Sequence, residues 1–268
     1  MKQLQGIGLS IKRLTLEIPY MTFAKILLIC CGFASVSIEA TTEQTLTSPE
    51  TQVNLLELYT SQGCSSCPPA DKWVSNLKQD DRLWNSIIPI AFHVNYWDYI
   101  GWKDKFASRQ YSHRHRKHAR DGNIGSVYTP GFVLNGKEWR SFFGFKQFQR
   151  TSHKNVGVLK VVVNKSKLNA SFQPVNKIKD ELILNIVLLG FDLSSEVNAG
   201  ENKGRTLNHD FVALGYKKVR LNSESNNFIT STTLPTSKKQ VINYGIAAWV
   251  SKDDDLIPIQ AVGGYLKN

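Results

Sequence analysis

Cys64 and Cys67, in the segment Gly63-Cys64-Ser65-Ser66-Cys67-Pro68-Pro69, have the clearest capacity for chemistry in this chain. If a helix starts at the second cysteine, one turn brings the two sulfurs within bonding reach. The free N–H groups of the helix start then favour a thiolate at the first sulfur. Cys64 would attack a partner, and Cys67 would resolve the resulting mixed disulfide. The pair admits two other readings. A structural disulfide would close so small a loop that it stabilises the fold little. A site for a soft ion such as copper would need further ligands. The remaining cysteines, Cys30 and Cys31, sit in an apolar run near the N-terminus, so there is no second pair to complete a metal site. No metal and no cofactor is expected.

Two further clusters carry reactive side chains. His93, Tyr96, Trp97, Asp98, Tyr99 and Trp102 form a polar-aromatic run that could wall a substrate groove or seal an insert onto its domain. His113, His115 and His118 lie among Arg109, Arg114, Arg116, Lys117 and Arg120. On a helix His115 and His118 share a face, as two metal ligands might. The surrounding cations oppose that role, and a solvated basic face is the expectation.

The elements that must position these groups follow from periodicity. Residues 53–60 (VNLLELYT) and 87–94 (IIPIAFHV) are apolar runs of strand length, and Trp73, Val74 and Leu77 recur at helical spacing after the cysteines. Residues 103–121 read as helical, and 128–135 begins a third strand closed by the hairpin dipeptide Asn135-Gly136. Beyond about residue 153, six or seven β-rich runs separated by Asn, Ser, Lys and Gly suggest a sandwich.

Composition excludes several classes. In 268 residues, 41% are hydrophobic and 21% charged, which rules out a wholly disordered chain, a collagen-like fibre and a multi-span membrane protein. Residues 26–33 (ILLICCGF), flanked by Lys25 and followed by small residues to Ala40, read as the core of a secretory signal with cleavage near Ala40 and Met21 as a possible start. The run is too short for a stable membrane anchor. The chain is therefore expected to be exported, periplasmic or secreted. The net charge of +11 would attract an acidic partner or anionic surface. No nucleic-acid module accompanies it, so nucleic acid is not an expected partner.

The segments VNLLELYTSQGCSSCPP and VYTPGFVLNG look like the two halves of a thioredoxin active site. ELYTSQGCSSCPPAD, AFHVNYWDYIGWKD, VYTPGFVLNG and, near 200–212, GENKGRTLNHDFV together resemble the secreted thioredoxin-like proteins of the DUF1223 family, which has no assigned function. That resemblance implies a cis Pro130 facing the cysteines, with Thr129 before it offering its backbone to a substrate peptide. It places Gly63 where thioredoxins carry a tryptophan, so contacts beside the sulfur must differ, and Asn95 where the family's aromatic motif has an aspartate. It puts Glu57 close to the buried acid that handles the resolving cysteine's proton. His93, Trp97 and Trp102 join Thr129 and Gly63 as candidate substrate contacts. The expected architecture is an α/β thioredoxin-like domain with a helical insert over 53–153, followed by a β-rich, sandwich-like domain over 154–268, with a signal peptide at 1–40 and a linker at 41–52. The expected function is thiol–disulfide exchange by the Cys64–Cys67 disulfide pair with protein thiols or disulfides and an unknown redox partner. The alternative is a non-catalytic thioredoxin-like module binding a peptide or a soft metal such as copper.

Overall fold

The computed structural model describes residues 43–140 and 154–267. The expected signal peptide lies outside them. Within the expected linker, Gln44–Thr47 forms β1, which pairs antiparallel with a strand more than one hundred residues later. The apolar run at 53–60 becomes β2 (Asn54–Thr60), buried along its whole length. The chain then turns through Ser61–Ser66 into α1 (Pro68–Asn76). Next come β3 (Ile87–His93), also buried throughout, and α2 (Arg109–Arg120), capped by the Ser108 hydroxyl accepting from the N–H of Gln110 at 3.2 Å. The hairpin β4 (Gly131–Leu134) and β5 (Lys137–Glu138) turns at Asn135-Gly136, both with positive φ.

The remaining strands are β6 (Gly157–Asn164), β7 (Lys167–Pro174), β8 (Leu182–Phe191), β9 (Leu193–Glu196), β10 (Thr206–His209), β11 (Val212–Arg220), β12 (Asn222–Glu224), β13 (Asn227–Thr233), β14 (Asn243–Lys252) and β15 (Pro258–Tyr265). They assemble with the first five into an eight-stranded sheet of order β15-β14-β8-β11-β3-β2-β4-β5, a five-stranded sheet β1-β6-β7-β13-β12, and the separate hairpin β9–β10. Strand alternation divides the core in two. Leu184 and Ile186 of β8 pack with Leu159, Val161 and Phe172 of the five-stranded sheet. Val187 and Leu189 belong to the other cluster, with Leu55, Ile88, Phe92 and Trp249. A strand clad on both faces reads as a continuous apolar run.

This corrects the expected fold class. The described residues are 47% strand and 13% helix, with two short α-helices, and no thioredoxin-like α/β fold with a helical insert is formed. The sheet that carries β2, β3 and β4 also carries β8, β11, β14 and β15. The joint is β11 beside β3, parallel, with Val212 opposite Ala91 and the Ala91 N–H donating to Phe211 O at 2.8 Å. Local periodicity indicates strands but not which of them pair across 120 residues of chain.

Candidate functional site

Cys64 and Cys67 are joined as a disulfide. Cys67 is the N-cap of α1, and Pro68 and Pro69 fill the first helical positions, where a missing N–H costs no hydrogen bond. The Cys64 sulfur lies 3.3 Å from the Ser66 hydroxyl. Cys67 is fully buried and Cys64 is only 1% exposed, so the sulfur expected to be accessible is covered. The loop between β9 and β10 is tied to the backbone of the cysteine loop. Asn202, itself 0% exposed, donates from Nδ2 to the carbonyls of Gln62 and Cys64, both at 2.9 Å. The neighbouring Glu201 carboxylate accepts the Ser65 N–H at 2.9 Å.

Behind the disulfide lies a buried cluster of ionisable groups. The Asp104 carboxylate accepts from His93 Nδ1 at 2.7 Å and from the Gln62 and Phe106 N–H groups at 2.9 Å. Burial works against charge here, but the paired His93 and the backbone donors outweigh it and hold Asp104 below the usual carboxylate range. His93 also overcomes its burial through Asp104, and its proton affinity is raised. One ring away, His209 stands edge-on to His93 at 4.9 Å between centroids. Burial, reinforced by the His93 charge, drives the His209 pKa down to about 3. Asp71, on α1, has its Oδ2 3.8 Å from His209 Nδ1. Burial pushes the Asp71 pKa up to about 7, His93 opposing and the Asp104 charge adding to the rise. Gln62 ties the cluster to the cysteine loop: its Oε1 accepts from the Trp102 indole at 3.0 Å, and its Nε2 donates to Ser195 Oγ at 2.8 Å.

Glu57 does not have the raised proton affinity expected of an acid serving the resolving cysteine. Against the cost of burial, Arg114 and His118 hold it well below the usual carboxylate range. Arg114 donates to both carboxylate oxygens at 2.7 Å, and Tyr59 donates a third bond at 2.6 Å. A carboxylate so neutralised keeps its charge and does not trade protons near neutral pH. The solvated basic face is corrected in the same region. Arg114, His115 and His118 are buried, His115 stacks on Tyr59 at 4.0 Å, and burial takes the His115 pKa down to about 3. The exposed stripe of α2 is Arg109, His113, Arg116 and Arg120. Among the described residues no group of three His, Cys, Asp or Glu is arranged to hold a metal ion.

The other candidates are distributed around the cysteine loop. A Cβ on Gly63 would lie 3.1 Å from Trp97 Cβ and 3.2 Å from Ile100 Cδ1, so the position where thioredoxins carry a tryptophan has no room for one here. The Trp97 indole donates to Thr129 Oγ1 at 2.7 Å, and the Thr129–Pro130 peptide is cis. Gly131 pairs with Tyr59 of β2, which sets Pro130 beside the strand that leads to the cysteines. Asn95 accepts from the Ser112 hydroxyl at 2.6 Å, a tie to α2. His93 is fully buried against Asp104 and so lines no open groove, while Trp102 is half-buried on Gln62. Asp71, Asp104, Asn202 and His209 were not singled out from sequence. Asp71 carried a signal, since it follows Cys67 by one helical turn. Asn202 lies inside the GENKGR segment. Asp104 and His209 owe their place to long-range pairing, which leaves no local mark.

The family described as a protein of unknown function, DUF1223, matches residues 55–251. No curated protein matches the chain. Two solved structures are similar to it. A structural-genomics crystal structure from Agrobacterium tumefaciens is 21% identical with a TM-score of 0.56, covering 80% of this chain and 94% of that one. HBP35 of Porphyromonas gingivalis is 15% identical with a TM-score of 0.56, covering 81% of this chain and 76% of that one. At these identities the likeness is one of fold alone.

Proposed function

The chain belongs to DUF1223, a family without assigned function, and on the chemistry of its own site we propose that it is an exported thiol–disulfide oxidoreductase acting on protein thiols through Cys64 and Cys67. The observation that carries this reading is a joined cysteine pair at the N-cap of α1 with the buried Asp71 carboxyl one turn away. In the oxidised form a partner thiolate attacks Cys64 Sγ. A new Cys64–partner bond forms, the Cys64–Cys67 bond breaks, and Cys67 leaves with the electron pair. In the reverse direction the Cys67 thiolate attacks Cys64 Sγ and expels the partner's sulfur. The test is a pair of variants assayed with a reduced, unfolded model protein and with its disulfide form. Cys64→Ser should abolish exchange, whereas Cys67→Ala should accumulate mixed disulfides, because nothing releases the partner. Absence of exchange by the wild type and of trapped partner with Cys67→Ala would overturn the reading.

A second reading is favoured by one observation, the 1% exposure of Cys64. A closed disulfide of this kind also suits a binding module in which the pair only fixes the loop. In that case a variant with both cysteines replaced by serine keeps its partner, which an oxidoreductase would lose.

A further inference from the structure

We propose that Asp71 is the group that gives a proton to Cys67 and takes it back during exchange, with His209, His93 and Asp104 setting its readiness to do so. This rests on the reading of Cys64–Cys67 as an exchange pair. Asp71 is the fourth residue after Cys67, and its backbone N–H donates to Cys67 O at 3.0 Å, so the two side chains stand one turn apart on the same face of α1. It is 6% exposed. The charged and titratable groups around it come from three elements: His93 at the end of β3, Asp104 in the loop before α2, and His209 at the end of β10. None of them is a cation locked onto its carboxylate, in contrast to Arg114 on Glu57. Gln62 settles how His209 faces it. The Gln62 oxygen is occupied by the Trp102 indole, so its Nε2 is the donor toward His209 Nε2 at 3.3 Å. The neutral His209 ring then carries its proton on Nδ1, the buried atom without a hydrogen-bond partner that lies nearest Asp71.

The steps balance. When a partner thiolate attacks Cys64 Sγ and the Cys64–Cys67 bond breaks, the electron pair left on Cys67 takes the Asp71 carboxyl proton, leaving a carboxylate. In the return direction that carboxylate removes the Cys67 thiol proton as Cys67 attacks Cys64 Sγ and the partner's sulfur departs. With burial keeping Asp71 near neutrality (about 7), the return step should accelerate as pH rises through that range. Breaking the disulfide should follow the opposite sign once the ionisation of the attacking thiol is divided out.

The test uses the reduced full-length chain and oxidised glutathione as the probe. The glutathione mixed disulfide on Cys64, and its decay as Cys67 resolves it, are followed by rapid quench and mass spectrometry across the neutral range. The wild-type decay should rise through about pH 7. In Asp71→Asn it should fall at least about tenfold at neutral pH, the range of a general base's contribution or below it, and recover only where the thiol ionises without help. His209→Asn should move the wild-type inflection. A mixed disulfide that forms normally and decays with the same pH profile in Asp71→Asn overturns this assignment alone. No mixed disulfide in either protein overturns the exchange reading and this one with it. If Asp71→Asn does not fold, the wild type still decides: its infrared difference spectrum on reduction must show a change in a protonated carboxyl band, and a featureless carboxyl region overturns the proposal.

Discussion

Two carboxylates buried within fifteen residues of each other have opposite chemistry, and the cause in each case is the partner. Glu57 is held by a bidentate guanidinium, a tyrosine hydroxyl and His118, so it is a structural anion. Asp71 has no guanidinium on it: the His209 imidazole lies 3.8 Å away, His93 and the Thr60 hydroxyl favour its charge, and burial outweighs them, so it keeps a proton to near neutrality. The spacing along strand and helix made both positions visible in the sequence, yet it pointed to Glu57 for the proton. Arg114, which decides the matter, is 57 residues away and reaches Glu57 only when α2 packs on β2. Removing it should therefore be costly. Arg114→Met leaves a buried, uncompensated carboxylate and should destabilise the protein by about 3–5 kcal/mol in urea unfolding. Adding Glu57→Gln should restore a large part of that loss, and Glu57→Gln alone should leave the pH profile of exchange in place. A Glu57→Gln protein whose profile shifted as Asp71→Asn is expected to do would show that the two roles had been assigned the wrong way round.

At the scale of elements, the hairpin β9–β10 does what no single strand of the sheets does. It leaves the large sheet after β8, among the described residues pairs only with itself, and returns at β11, bringing Asn202 and Glu201 to the cysteine loop and His209 to Asp71. In the sequence β10 is part of one β-rich run over 206–216 that also holds β11, and β9 is not marked as a run at all. Their position at the cysteine loop is not legible either, because hairpin register fixes a strand's neighbour and not where the hairpin lies. The α2 helix is legible as the helical segment 103–121, but nothing local marks which of its basic residues are buried. Arg114, His115 and His118 are buried because the strand they cover supplies a carboxylate and an aromatic ring in return. The contacts of Asn202 hold the hairpin onto the cysteine loop, and this has a measurable consequence. Asn202→Ala removes both hydrogen bonds to the Gln62 and Cys64 carbonyls, each contributing roughly 1 kcal/mol. Reduction of the wild-type disulfide by dithiothreitol should be slow, and Asn202→Ala should speed it by about an order of magnitude while the unfolding midpoint falls by about 4–8 °C. Equal rates in both proteins would mean that access to Cys64 is governed elsewhere.

Across the whole molecule, the site exists because the two halves of the chain share one sheet and the core cluster on one of its faces. Glu57 binds Arg114, Arg114 donates to Tyr216 at 3.3 Å, and Tyr216 donates to Asn185 at 2.7 Å, so a line of buried polar contacts runs from β2 through α2 to β11 and β8. Arg114 also lies over the Trp249 ring of β14 at 5.1 Å. Phe92 packs with Tyr216, and Trp84 with Phe191 and Phe211. A chain ending at residue 153 would lose every one of these C-terminal partners. It would expose one edge of β3 and the apolar face that Val187, Leu189 and Trp249 cover, while Arg114 kept its charge without Tyr216. Unpaired edges and exposed apolar faces of that size favour aggregation over folding. Residues 41–153 produced alone should therefore be insoluble or lack a cooperative unfolding transition, whereas residues 41–268 should unfold in one transition with tryptophan fluorescence and far-ultraviolet dichroism coincident. A soluble 41–153 fragment with a sharp transition and a reducible Cys64–Cys67 bond would mean that the shared sheet is dispensable to the site. The buried contacts from Tyr216, Trp249 and His209 make the opposite expectation.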